Sequence, residues 1–402
     1  MPSSHTSPDA RHDLETISLI GFVHGVSHFF HLLLPPLFPW LMAEFGLSFT
    51  AIGVTMTVFF VISGIGQAAA GFLVDRFGAA RILAIGICCF ALSGVVLYFA
   101  NGYAMLIAVA AIAGLGNSVF HPADFTVLNR HVSQPRLGHA FSIHGLSGNI
   151  GWGLAPIFMT SIAAYAGWRY AALGASLLAL SALALLLWRR SALASPLIEE
   201  ADKTVSSNAS IFDFLTVRAV WLCFLFFLLI TSAFGAIQNF ASPILQALYG
   251  LTITSAASAL SAYLFGGAGG ILLGGFLARK GEQERLITAA LGAAAALAIL
   301  LAIGILPGWS ILPLMAAIGF CTGIAGPSRD LLVRRAATAR FGQAAFGRIY
   351  GFVYSGLDVG LALAPAVFGQ LMDGGRYSDV LIGIAVLQTL AIFTALRVSK
   401  TI

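Results

Sequence analysis

Residues 51–100 read AIGVTMTVFFVISGIGQAAAGFLVDRFGAARILAIGICCFALSGVVLYFA, two long apolar runs joined by one short charged turn, Asp75-Arg76-Phe77-Gly78-Ala79-Ala80-Arg81. Each run is long enough to cross a hydrocarbon core, which takes about 20 residues of helix. Barrel strands would alternate polar and apolar residues, whereas these runs are apolar on all sides, so helices are the spanning element that fits.

The same pattern extends in both directions, from Ile17 to Leu396. It predicts spans at 17–43, 50–74, 82–100, 104–128, 139–164, 168–188, 216–244, 252–278, 286–306, 309–333, 345–372 and 378–397. Composition agrees: 59% of the chain is hydrophobic and 9% charged, against roughly 25% charged in soluble domains, so lipid must cover the surface. Cys88, Cys89, Cys223 and Cys321 fall inside apolar spans without metal-ligand spacing and read as packing residues. Residues 1–16 are polar and the first span lacks a small-residue cleavage site, so no removable signal peptide is expected.

The longest polar stretch inside the chain, Arg189 to Ser210, contains Glu199, Glu200, Asp202 and Lys203 and suits a solvated linker. Within it, Asn208 or Ser210 can cap a short interfacial helix through Ile211, Phe212 and Phe214, or the stretch can be plain loop. The expected organisation is a cytoplasmic tail (1–16), a six-helix bundle (17–188), a cytoplasmic linker (189–215), a second six-helix bundle (216–397) and a cytoplasmic tail (398–402).

Sliding one half over the other by about 204 positions places Pro39, Gly46, Leu47 and Thr50 on Pro243, Gly250, Leu251 and Thr254. It also places Gly71-Phe72-Leu73 on Gly275-Phe276-Leu277 and, with small loop adjustments, Pro122 on Pro327 and Ala155-Pro156 on Ala364-Pro365. The chain is therefore expected to be an all-α membrane protein of twelve transmembrane helices in two pseudo-symmetric six-helix bundles, with a substrate cavity between them near the midplane.

Positive charge near span ends is retained on the cytoplasmic side. Apart from Arg329, every Lys and Arg other than Arg169 and Arg376 lies in segments on the side of the two termini, which predicts both termini in the cytoplasm and a bacterial inner-membrane location. The net charge of +5 is spread over many short loops, with no tract for nucleic acid.

The turn after the second span, Gly71-Phe72-Leu73-Val74-Asp75-Arg76-Phe77-Gly78-Ala79-Ala80-Arg81, resembles the signature loop of the major facilitator superfamily, G-x-L-x-D-R-x-G-x-x-R. The resemblance implies the major facilitator fold, a monomer in the lipid bilayer and a latch that holds the outward-open state through Gly71, Asp75, Arg76, Gly78 and Arg81. Glycines here would let helices approach closely, Asp75 could face a helix N-terminus, and the arginines could bond across the bundle interface. The second-half copy, Gly275-Phe276-Leu277-Ala278-Arg279-Lys280-Gly281, has Arg279 in place of the acid, so latching is expected to be lopsided.

Ser27-His28, Phe38-Pro39, Glu44-Phe45-Gly46-Leu47-Ser48 and Ser118-Val119-Phe120-His121-Pro122 resemble the fosmidomycin-resistance branch, whose members are proton-driven exporters of drugs and small molecules. The chain departs from that branch at Ala123, which stands where an acid usually follows His-Pro, with Asp124 next. It departs again at His31 and Leu32, where an Asn-Asp pair is usual.

A charge in hydrocarbon costs at least ~2.5 kcal/mol, so ionisable residues in spans mark a substrate or proton route. His24, His28 and His31 recur at i, i+4 and i+7, within about 60° of one helix face. Histidine exchanges protons near physiological pH, although these three can equally serve as hydrogen-bonding groups between helices. Their spacing also admits a metal, but no Cys, Met or acid pattern supports one, so neither a metal nor a cofactor is expected.

His121 and Asp124 lie a turn apart around Pro122 and form the best proton-coupling candidate. Their repeat mates are Arg329 and Asp330: Arg329 can pair with Asp124 across the cavity, clamp an anionic substrate group, or act locally with Asp330. His144 and Asn149 on the fifth span and Asp358 on the eleventh complete the set, Asn149 and Asp358 being repeat mates. Asp358 can alternatively serve packing beside Gly356 and Gly360. His139 and Arg348 read as interface anchors.

No phosphate-binding loop, nucleophile elbow or zinc motif is present, so an enzyme is not expected. The reading reached is a secondary active transporter that exports a small anionic or amphiphilic compound or drug by proton-coupled alternating access. Proton-linked uptake of an organic acid is the nearest alternative, and a non-transporting membrane sensor or assembly factor is an alternative of another class.

Overall fold

Proline decides where the first span breaks. Helix α1 (Ala10–His31) stops before Pro35-Pro36, a 3-10 turn occupies Pro35–Leu37, and the span resumes as α2 (Phe38–Phe45). Proline has no N–H to donate and its ring collides with the carbonyl four residues back, so the helical ladder cannot run through the pair. The computed structural model describes residues 10–189, 193, 216–278, 283–341 and 346–399. The remaining spans are α3 (Phe49–Phe77), α4 (Ala79–Tyr98), α5 and α6 (Tyr103–Asn117 and Phe120–His131, one interrupted span), α7 (Gln134–Ala166) and α8 (Trp168–Trp188). The second half supplies α9 (Arg218–Tyr249), α10 (Ile253–Ala278), α11 (Gln283–Ala302), α12 (Ile311–Phe341), α13 (Phe346–Asp373) and α14 (Tyr377–Ser399).

Among the described residues no strand occurs, and 11 helical stretches are long and apolar enough to cross a membrane. The twelfth span is α7, 33 residues long, whose His, Asn, Ser and Gly residues dilute its apolarity. Several helices outrun the spans expected from hydropathy, α1, α7 and α12 among them, because capping and backbone bonding carry a helix beyond the lipid. The expected linker and its capped helix fall almost wholly outside the described residues.

The repeat is visible in the backbone. Gly46 and Gly250, matched by sequence, both end their helices in the left-handed region at φ +63° and +64°. Ser48 Oγ accepts from the Ala51 amide at 3.1 Å, and its repeat mate Thr252 Oγ1 accepts from Ser255 at 3.2 Å, so both halves start their second span with the same cap. The seventh span differs: α9 retains Pro243 but has no counterpart of Pro35-Pro36, and it runs unbroken.

Within lipid, helices gain little from hiding apolar surface from one another, so close packing of small residues holds them together. In the first bundle α1 packs along α7 and α4 along α8; in the second, α10 lies along α12 and α9 between α13 and α14. The α1–α7 approach is tight enough that a Cβ on Gly151 would overlap the Gly25 carbonyl, which only glycine permits.

The two bundles meet along α3–α13 and α7–α10. At the end away from the termini the α3–α13 seam is closed. The Asp373 carboxylate accepts from the Phe49 and Thr50 amides at 2.5 and 3.0 Å, Thr57 Oγ1 donates to the Ala362 carbonyl at 2.7 Å, and Phe240 of α9 meets Phe38 and Phe49. Positions 50, 57, 64 and 71 of α3 share a face. Gly64 abuts Asp358, but one step nearer the termini nothing lies within 4 Å of where a side chain on Gly71 would begin. The contacts described across this seam therefore run from Asp373 to Asp358.

Candidate functional site

Pro122 is the third residue of α6, and the break between α5 and α6 falls at Ser118-Val119, where the Ser118 carbonyl, four residues back, has no Pro122 N–H to accept. Just past the break, Asp124 points into the first bundle and is fully buried. Its Oδ2 lies 3.0 Å from His24 Nδ1 on α1 and 3.1 Å from His144 Nε2 on α7. An ionised carboxylate would only accept, and each imidazole bonded to it would then carry its proton on the facing nitrogen. Asp124 Oδ1, in contrast, is buried without a partner.

The two imidazoles stack with centroids 3.5 Å apart and planes at 24°. Like charges at that separation would repel by roughly 4–5 kcal/mol at an effective dielectric constant of ~20. His28 and His121 surround them, with ring centroids 4.4 and 5.3 Å from His24. Both nitrogens of His28 and Nδ1 of His121 are buried without partners. The room comes from Gly148, where a Cβ would stand 2.7 Å from His28 Nδ1 and 3.1 Å from His24 Nε2.

A second chain of contacts continues from this cluster. His31 stacks on His28 at 4.9 Å and its Nε2 bonds Asn117 Oδ1 at 2.8 Å; Asn117 Nδ2 then donates to Ser63 Oγ of α3 at 2.8 Å. Trp152 of α7 covers His28 and His31, with centroids 4.2 and 5.7 Å away, and on its other side meets Phe234 of α9 at 5.1 Å. It is the wall between the histidine cluster and the second bundle. The polar system thus ties α1, α3, α5, α6 and α7 together.

Five of the residues singled out from sequence converge here with His31: His24, His28, His121, Asp124 and His144. Three that sequence reasoning passed over belong with them, namely Ser63, Asn117 and Trp152. Asn117 had a legible signal, because Asn117, His121 and Asp124 repeat the i, i+4, i+7 spacing of His24, His28 and His31. Trp152 had none, since a tryptophan in an apolar span reads as packing.

The other candidates lie apart. Asn149 donates to the Gly145 carbonyl of its own helix at 2.9 Å, whereas its repeat mate Asp358 faces α3 across the seam at Gly64, so the two bundles do not present matched groups. The Arg329 guanidinium lies 4.5 Å over the Phe227 ring of α9, and Asp124 is held by its own bundle's histidines, so the expected cross-cavity ion pair is not formed in this conformation. The side chains of Asp330 and Arg348 fall outside the described residues; His139 is exposed at the start of α7.

The expected latch loop forms the α3–α4 turn. Asp75, Arg76 and Arg81 are exposed, and Arg76 packs 5.2 Å over Phe77. Nothing lies within 4 Å of the side-chain position of Gly71 or Gly78, so close helix approach is not what these glycines serve here. Gly78 instead makes the α3–α4 turn at φ +86°, and no side chain caps α4.

One nitrogen each from His24, His121 and His144 can be brought to a common point, all three lying within 4.8 Å of one another. The arrangement can relay a proton, switch a hydrogen-bonded tie between three helices, or hold a cation.

Residues 17–365 match the Major Facilitator Superfamily. The fosmidomycin resistance protein of Escherichia coli is 29% identical over 371 residues, covering 90% of this chain and 88% of that protein. An uncharacterized MFS-type transporter of Bacillus subtilis, YfnC, is 27% identical over 388 residues, with 94% and 91% covered. Among solved structures, a bacterial homolog of the human lysosomal transporter Spinster, inward-facing and unoccupied, superposes with a TM-score of 0.77 at 12% identity, covering 98% of each chain. At that identity the likeness speaks to the fold.

Proposed function

The chain belongs to the Major Facilitator Superfamily, and from that premise we propose that it is a transporter exporting a small anionic or amphiphilic compound in exchange for protons. Asp124 is the coupling group. The observation that carries this reading is the Asp124 carboxylate itself: fully buried, one oxygen shared between His24 and His144, the other without a partner.

Uptake of a proton by this group changes which bonds tie α1 and α7 to α6, and a bundle whose internal ties change is a two-state element that a proton gradient can drive. With the basic, termini-bearing end in the cytoplasm, the clasped α3–α13 seam lies on the outer side and the exposed Asp75 loop on the inner side. Closure at that end would bring the loop against the second bundle and form the latch. Arg329, which lies over the Phe227 ring, is the cation assigned to an anionic group on the substrate. Export rather than uptake is favoured by the relative named for fosmidomycin resistance.

The test is transport by reconstituted protein under a pH gradient, with fosmidomycin as the first compound. Asp124→Asn keeps the shape and removes the charge. It is expected to abolish gradient-driven movement while leaving the thermal midpoint near wild type. Undiminished exchange by the variant removes Asp124 from the mechanism, and accumulation in whole cells that falls with an uncoupler reassigns the direction to uptake.

A further inference from the structure

We propose that His24, His121 and His144 form a binding site for a first-row divalent transition cation inside the first bundle, with Asp124 as the carboxylate that orients two of the three ligands.

The donor set comes from three separate helices, α1, α6 and α7, and one nitrogen of each lies within 4.8 Å of the others. A tetrahedral ion bound at 2.0–2.1 Å needs nitrogens about 3.3 Å apart, so separations of up to 4.8 Å must shrink by up to about 1.5 Å to reach it. Imidazole is a ligand of Zn, Co, Ni and Cu, whereas Mg and Ca prefer all-oxygen sites, so the chemistry selects the transition series.

Asp124 Oδ2 already lies within hydrogen-bond distance of His24 Nδ1 and His144 Nε2. Histidines that bind metals ordinarily donate their second N–H to a carboxylate in this way, which fixes the tautomer and leaves the lone pair on the far nitrogen. In His24 that far nitrogen is Nε2, which lies toward the space left by Gly148.

An independent observation points to a ligand. Buried polar atoms nearly always have partners, yet His121 Nδ1, Asp124 Oδ1 and both nitrogens of His28 are buried with none. A network serving only to hold helices together would satisfy its atoms within itself. Here the unpartnered atoms include His121 Nδ1, on one of the three ligands, and Asp124 Oδ1, on the orienting carboxylate. Trp152, seated over His28 and His31, stands between the histidine cluster and Phe234 of the second bundle.

The experiment uses the full-length protein purified in detergent, its affinity tag removed, after treatment with a chelator. Co²⁺ is the probe, because tetrahedral coordination by nitrogen gives strong visible absorption bands, and Zn²⁺ is the competitor. One Co²⁺ per chain is expected, displaced by Zn²⁺. His121→Gln and His144→Gln should each weaken binding at least about tenfold, and Asp124→Asn by about 10–100-fold, the usual cost of losing an orienting carboxylate. His139→Gln, at an exposed position on the same helix as His144, should leave it unchanged.

The thermal midpoint of the wild-type protein should rise with Zn²⁺ to a plateau and not with Mg²⁺. Absence of saturable Co²⁺ binding, binding indifferent to His121→Gln, or a wild-type midpoint indifferent to Zn²⁺ overturns the proposal. The last measurement needs no variant to fold. None of these readouts involves transport, so failure here leaves proton coupling through Asp124 standing, and the reverse also holds.

Discussion

Replacing Asp373 by alanine removes the carboxylate that fastens α13 to α3 at the end away from the termini. Asp373 Oδ1 and Oδ2 accept from the Phe49 and Thr50 amides at 2.5 and 3.0 Å, two of the N–H groups that a helix start cannot satisfy for itself. Loss of such a cap costs about 1 kcal/mol, within a range of 0.5–2, and the attraction of an exposed carboxylate to the helix N-terminus adds about 0.3–1 kcal/mol. Ser48 continues to cap Ala51, and Thr57 continues to bond Ala362, so the seam is weakened without being lost. Because cap and helix belong to different bundles, the whole loss, about 1–2 kcal/mol, falls on the conformation closed at this end. At 1.4 kcal/mol per tenfold, the ratio of open to closed molecules should rise about five- to thirtyfold. Asp373→Asn keeps one acceptor and should give about half the free-energy change. Spin labels at Asn101 and Thr252, exposed loop positions on the two bundles, report the change as a growing population at longer distance. The labelling background replaces Cys88, Cys89, Cys223 and Cys321. A distance distribution that Asp373→Ala leaves unaltered refutes the assignment of this contact as the clasp.

Gly148→Ala places a Cβ 2.7 Å from His28 Cε1 and Nδ1, and such overpacking should cost about 1–3 kcal/mol, read as a lower thermal midpoint together with loss of transport. Asp13, buried at the start of α1, accepts from the Ser133 amide at 3.1 Å, the Ser133 hydroxyl at 2.5 Å and Arg136 Nη1 at 2.9 Å. Asp13→Ala leaves those donors unmatched and should cost about 1–3 kcal/mol in unfolding, whereas breaking the half-exposed Glu44–Arg169 pair by Glu44→Gln should cost under about 1 kcal/mol. Gly46→Ala and Gly250→Ala force a side chain into the left-handed region at nearly identical φ. They should destabilise by similar amounts, about 1–2 kcal/mol each, and a large difference in thermal midpoint would contradict the equivalence of the two halves.

The candidate site was partly legible before the structure. His24, His28 and His31 declared a shared face by spacing alone, because helical geometry is local and polar residues in an apolar run have few alternatives. That His24 would meet Asp124, 100 positions away, was not legible. The contact depends on how closely α1 and α7 approach at Gly25 and Gly151, and on where α6 resumes after the break at Ser118-Val119. Asn117 could have been found from its spacing to His121 and Asp124. Trp152 could not, since its role comes from lying between the histidines and Phe234 of the other bundle.

By itself the sequence determined the number of spans, their helical character and the duplication of one six-helix unit, because an unsatisfied backbone in hydrocarbon costs too much for any other structure to form. It also determined the matched turns at Gly46 and Gly250, whose backbone demands are met within a few residues. Which conformation is closed and at which end, that Asp75 stands free while Asp373 is engaged, and that Asp124 bonds histidines of its own bundle rather than Arg329, were decided only by tertiary structure. These depend on contacts between residues far apart in the chain, and several pairings of similar energy satisfy the same apolar pattern until packing selects one.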